Sequence, residues 1–229
     1  MKSRVDRIFL ILCLFLLVLT TEAVAAPKWK EIEVPGICRL QMPTTMEIQN
    51  KEYKDDVVSS ANPDLIRNFS PTANLLTIQQ KGLNKRDPKA LKQYARVIFK
   101  ISEVGARGDF PNKEFKDTLL SLSKNDLHEL SEYLKELTIE EMKPYVEKGF
   151  MGKIIKWDGL SMARVGGLSA MKLNYTREGL HGNSSVAVTS YGIPMDYFML
   201  NITLSYRINE SKIWKDDISR IISSIKFIP

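Results

Sequence analysis

Apolar and polar residues alternate through FMLNITLSYR: Phe198, Leu200, Ile202, Leu204 and Tyr206 fall on one side, and Met199, Asn201, Thr203 and Ser205 on the other. A period of two means a strand with one buried face. Two similar runs precede it, Gly167 to Arg177 and Ser184 to Gly192, separated by EGLHGN, whose glycines and asparagine are turn residues. The pattern predicts a hairpin followed by a third antiparallel strand. The period then changes. Trp214, Ile218, Ile221, Ile222 and Ile225 recur at helical spacing behind Ser211, which is placed as the N-cap. Such a stripe needs a sheet to cover, and its large side chains contribute about 2 to 3 kcal/mol each when buried.

The middle of the chain is helical. Leu119, Leu122, Leu127, Leu130, Leu134, Leu137 and Met142 recur every three or four residues between Asn112 and Gly149, which predicts two or three short helices. Ser123 to Asp126 supplies one cap, Thr138 to Glu141 reads as a capping box opening a further helix, and Gly149 reads as the stop. Towards the N-terminus, Ile37 to Pro43, Leu75 to Gln80 and Gln93 to Val104 carry strand patterns. Pro88 marks a helix entry just before the last of these.

The first 25 residues differ from the rest. Lys2, Arg4 and Arg7 precede an apolar run from Ile8 to Leu19, followed by Ala23-Val24-Ala25. This is the form of a secretory leader, expected to be cut after Ala25. The run is too short to span a bilayer, and no later run is long enough to anchor the mature chain. What remains, about 204 residues, suits one α+β domain over 26–229 with its helical segment at about 113–149. The expected location is therefore periplasmic or extracellular. Cleavage removes Cys13 and leaves Cys38 alone, so an intramolecular disulfide is excluded and Cys38 reads as a packed strand residue. Formal charge falls from +6 to +5 on cleavage. The densest basic cluster is Lys81, Lys85, Arg86, Lys89 and Lys92 against Asp87 alone. It suits an anionic surface, but no aromatic residues interleave to stack bases, which argues against nucleic acid.

The strand CRLQMP ending in proline, the Gly-Gly step in VGGLSAMKLNY, the strands after it and the closing helix followed by SIKF together resemble the PsbP-like superfamily, mainly over 151–229. The resemblance implies an α/β/α sandwich, an antiparallel β-sheet flanked by helices, used for binding rather than catalysis. It transfers no ligand motif.

The chain offers little chemistry by spacing. Its two histidines, His128 and His181, are far apart, and neither a nucleophile elbow, a phosphate-binding glycine loop nor a metal-ligand motif is present. No catalytic residue, metal site or cofactor is assigned. The leading expectation is an exported, non-enzymatic protein that binds a protein or envelope component. Its candidate contacts are Arg177, His181 and Asn183 at the hairpin tip and Lys85 and Arg86 on the basic segment, because loops carry function more often than sheets do. Two other classes stand beside it: a hydrolase whose scattered carboxylates meet a loop histidine, and a scaffold acting through the middle helices.

Overall fold

The computed structural model describes residues 28–53 and 74–228, so the leader expected over 1–25 lies outside the described residues. Strands β1 (Trp29–Val34), β2 (Cys38–Pro43) and β10 (Lys226–Phe227) form a small antiparallel sheet with β2 in the middle. The larger sheet has seven strands, all antiparallel. These are β3 (Met46–Ile48), β4 (Asn74–Gln80), β5 (Ala95–Val104), β6 (Ile154–Val165), β7 (Leu168–Arg177), β8 (Val186–Pro194) and β9 (Phe198–Arg207), in the spatial order β3-β4-β5-β9-β8-β7-β6. Helices α1 (Pro88–Leu91), α2 (Asn112–Ser121), α3 (Lys124–Glu147) and α4 (Ser211–Ser223) accompany them.

Strand β9 lies between β5 and β8, and its alternation divides the two faces of the sheet. Phe198, Leu200, Ile202 and Leu204 are buried with Val97 and Phe99 of β5. Against them pack Trp214, Ile218, Ile221 and Ile222 of α4, and Val34, Cys38, Leu40 and Met42 of the small sheet. The guanidinium of Arg220 on α4 stands 4.3 Å from the ring centre of Trp29, which ties β1 to the helix. The opposite face carries α2 and α3, over β6, β7 and β8. Helices on both sides of an antiparallel sheet make this an α+β sandwich, as the sequence predicts. Among the described residues no helix is long and apolar enough to cross a membrane.

Some elements depart from the sequence reading, each for a local reason. Residues 29–43 form two strands: Gly36, with φ +68°, lets the chain reverse, and Ile37 N donates to Val34 O at 3.0 Å. Strand β6 was not expected, because Gly159 at φ +91° sits in a bulge that breaks the alternation after Trp157. Helix α3 is one helix of 24 residues. It opens on a capping box between Ser123 and Asp126, whereas Thr138 lies in mid-helix and its hydroxyl donates back to Leu134 O at 2.7 Å. Ser211 is the first residue of α4 and makes no cap bond, for the cap position belongs to Glu210, whose carboxylate is engaged elsewhere.

Cys38 is fully buried and unpaired. Burial, reinforced by the charge of Glu33, pushes its thiol up to about 12. A thiol whose folded pKa is raised contributes stability below its unfolded pKa, and that contribution is lost as pH rises towards 12. In native protein at pH 8 Cys38 is expected to resist a thiol-labelling reagent, and in denaturant to react at once. Fast labelling of the folded state would show that β2 opens readily.

Candidate functional site

The basic segment and the expected hairpin tip are far apart in sequence, and the strand order brings them to one end of the large sheet. The β4–β5 connection, 81–94, leaves the end of β4. The β7–β8 connection, 178–185, leaves the end of β7, and only β9 and the starts of β5 and β8 lie between them. Lys85 ends, and Arg86 follows, a 3-10 turn over Leu83–Lys85, held by Asp87 N to Gly82 O at 3.0 Å. Arg86 takes a left-handed conformation, and Lys81, Lys85, Arg86, Lys89 and Lys92 are exposed. His181 and Asn183 are exposed on the other connection. His181 has φ +52°, and Asn183 Nδ2 donates to Leu180 O at 2.7 Å, which gives Asn183 a part in closing the turn.

Arg177 is different from the other four. It is only 9% exposed. It pairs with Val186, which pairs with Arg207, whose N–H donates to Tyr94 O at 3.2 Å. The next row across the sheet is Tyr175, Val188, Ser205, Arg96 and Gln79. Directly paired residues share a face, so both rows project on the side away from α4.

There the Tyr94 hydroxyl is the meeting point. Arg177 Nη2 donates to it at 3.1 Å, the same guanidinium lies 5.6 Å from the Tyr94 ring centre, and Ser205 Oγ is 3.0 Å away. Burial pushes the Tyr94 hydroxyl up, but the charges of Arg96 and Arg177 and the bonds from Ser205 and Arg177 outweigh it and hold the group below its ordinary value. This adds stability only as pH rises through the folded pKa of Tyr94 towards 10, since at neutral pH both folded and unfolded tyrosine keep the proton. Tyr175, Tyr191 and Tyr206 shift the other way, burial being the first cause in each.

The charges acting on the Tyr94 hydroxyl are both positive. Arg207 has its counter-ion in Glu210, Nη1 to Oε1 at 3.3 Å. Among the described residues, neither Arg96 nor Arg177 has a carboxylate within ion-pair distance. Arg96 Nε is buried without an acceptor, and Gln79 Oε1, on the paired position of β4 and fully buried, has no donor. Tyr94, Arg96 and Ser205 were missed by the sequence reading. The available signal was the alternation in QYARVIF, which puts Tyr94, Arg96 and Ile98 on one face and Ala95, Val97 and Phe99 on the other. Among the described residues no three His, Cys, Asp or Glu side chains gather as a metal site.

No family model matches the chain, and no curated protein matches it by sequence. Solved structures resemble it in shape. LpqN of Mycobacterium tuberculosis, described as involved in cell envelope biogenesis, aligns at 13% identity over 90% of this chain and 88% of its own, with a TM-score of 0.43. Cyanobacterial PsbP (CyanoP) from Synechocystis aligns at 10% identity over 91% of this chain and 98% of its own, with a TM-score of 0.48. The second carries the name of the family that the sequence resembles. At these scores the likeness carries no argument about activity or partners, and the functional reading rests on the molecule's own residues.

Proposed function

We propose that this chain is exported, loses residues 1–25, and works as a non-enzymatic binding protein in the cell envelope or outside the cell. Its binding end is the one where the 81–94 and 178–185 connections meet. The partner is an anionic protein or envelope component. One observation carries this reading: five lysines and arginines of the basic segment are exposed at the same sheet end as Arg177 and His181, with Asp87 the only acid in that segment. Exposed charges act over about 10 Å at 0.1 M salt, so such an end attracts anionic surfaces in a salt-dependent way.

The test is binding of the leader-free protein to vesicles with and without anionic lipid, and to envelope polymer. Replacing Lys85, Arg86 and Lys89 together with Gln is expected to weaken retention and flatten its salt dependence. Retention unchanged by both mutation and salt sinks the reading. Intact mass of the exported protein checks the leader: a mass starting near Ala26 is expected, and one retaining the apolar run would overturn the export assignment.

A further inference from the structure

Arg177 and the Nε of the half-buried Arg96 are buried in a way that the exposed lysines are not. A nine-tenths buried arginine without a counter-ion is costly, because removing a charge from water is repaid only by an opposite charge and by hydrogen bonds. Arg177 has one hydrogen bond to a neutral hydroxyl, and Arg96 lies close enough to act on that hydroxyl as a second positive charge. A water molecule between Arg96 Nε and Gln79 Oε1 would satisfy those two atoms and still leave two like charges uncompensated. An anion would accept from Arg96 Nε and compensate the charges, without giving Gln79 Oε1 a donor. Guanidinium donors are suited in geometry to oxyanions, which they bind with short, charge-assisted bonds.

We propose that Arg177, Arg96 and Tyr94 form a seat for the oxyanion of a phosphate group, between the two connections at this end of the sheet. The proposal rests on the reading above that this end faces an anionic partner, and it names the group recognised. The remaining donors of Arg177 and the orphan Nε of Arg96 take the oxygens, and Tyr94, with Ser205 behind it, fixes the Arg177 guanidinium through its hydroxyl and ring face. The exposed lysines draw the partner in, and Arg177 with the Nε of Arg96 discriminates.

Tyr94 supplies its own reporter. The charged groups acting on its hydroxyl are Arg96 and Arg177; Tyr175 stands beside Arg177 and feels the carboxylate of Glu141 on α3, while Glu210 accepts from the Tyr94 backbone N–H and pairs with Arg207. An anion in the seat cancels the positive potential and moves the ionisation of Tyr94 upward.

The experiment is an absorbance titration of tyrosine ionisation in the leader-free protein, at constant ionic strength, with chloride alone or with added inorganic phosphate. It is repeated with vesicles of phosphatidylcholine, with and without phosphatidylglycerol. The earliest tyrosine step is expected to disappear in Tyr94→Phe, which assigns it, and to move upward saturably with the phosphate probe. Arg177→Gln and Arg96→Gln are each expected to weaken the response about tenfold or more, on the strength of a hydrogen bond to a charged group. Circular dichroism melts verify that each variant is folded, and either variant alone is sufficient for the test. A response to inorganic phosphate identifies free phosphate as a ligand, and a response only to phosphatidylglycerol vesicles identifies a lipid headgroup. Both support the seat. No shift with any probe, or a shift that survives both arginine substitutions, overturns it. Vesicle binding lost in the Lys85, Arg86 and Lys89 variant but intact in Arg177→Gln, with no tyrosine shift on adding inorganic phosphate, would leave the basic surface standing and the seat refuted.

Discussion

Leu200→Asp is expected to destabilise the protein by more than about 4 kcal/mol, much of the roughly 5 to 15 kcal/mol that holds a typical domain. Leu200 and its strand neighbour Ile202 are fully buried, and the face they share with Ile101 and Phe99 of β5 is the one that α4 and the small sheet cover. Aspartate there loses the packing of a large side chain and leaves a carboxylate with no water and no partner. Thr203→Asp is the control. Thr203 is half-buried on the other face, with its hydroxyl 3.3 Å from Ser190 Oγ, and it lies two residues along β9 from Ser205, the partner of Arg96. A carboxylate at 203 sits near positive charge and is expected to cost about 1 kcal/mol or less. Urea unfolding of the two variants checks both numbers. Equal losses would mean that the face bearing Thr203 is as dry as the core.

Glu210→Ala is expected to cost about 3 to 5 kcal/mol, as removal of one member of a buried ion pair does. Glu210 sits at the start of α4 and its carboxylate does three things. Oε2 accepts from Trp214 Nε1 at 2.9 Å and from Tyr94 N at 2.9 Å, and Oε1 pairs with Arg207. Without it, an indole N–H, a backbone N–H and a guanidinium lose their acceptor in one place. Glu210→Gln keeps acceptor oxygen and loses charge, so its cost should fall clearly below that of Ala. Chemical denaturation of both variants measures the difference, and an alanine variant within about 1 kcal/mol of the parent would show that water replaces the carboxylate. Since Glu210 also fixes the backbone of Tyr94, the alanine variant should blunt the early tyrosine ionisation.

The parts of the fold that were legible in sequence are those whose periodicity is local and unbroken. β9 and the stripe of α4 could be read directly, because strand and helix each repeat one pattern long enough to exclude the other. β6 escaped, since the bulge at Gly159 interrupts its alternation, and Thr138 misled, because a threonine three residues before a glutamate has the form of a cap wherever it stands. The candidate site was half visible. Arg177 was chosen for its place beside a turn, but its neighbours Tyr94 and Ser205 lie 83 and 111 positions away from their partners in the cluster, and only the pairing of β5, β9, β8 and β7 unites them. Register across four strands is a tertiary property, set by the turns and the buried face, and no single segment displays it.

The small sheet places β2 between a neighbour made just before it and a neighbour made near the far end of the sequence. The hydrogen bond from Gln41 N to Ser224 Oγ spans 183 positions, and Gly166, in the β6–β7 turn, leaves room for the ring of Phe227. Contacts of such separation close late, because the chain must first lose the entropy of a very long loop. During synthesis, then, residues 28–43 wait with one edge of β2 bare until residues 211–227 have emerged, and α4 cannot seat on either sheet before that. The nascent protein stays open and threadable for almost its whole production. Protease protection of stalled chains is expected to appear only in those that expose residue 227.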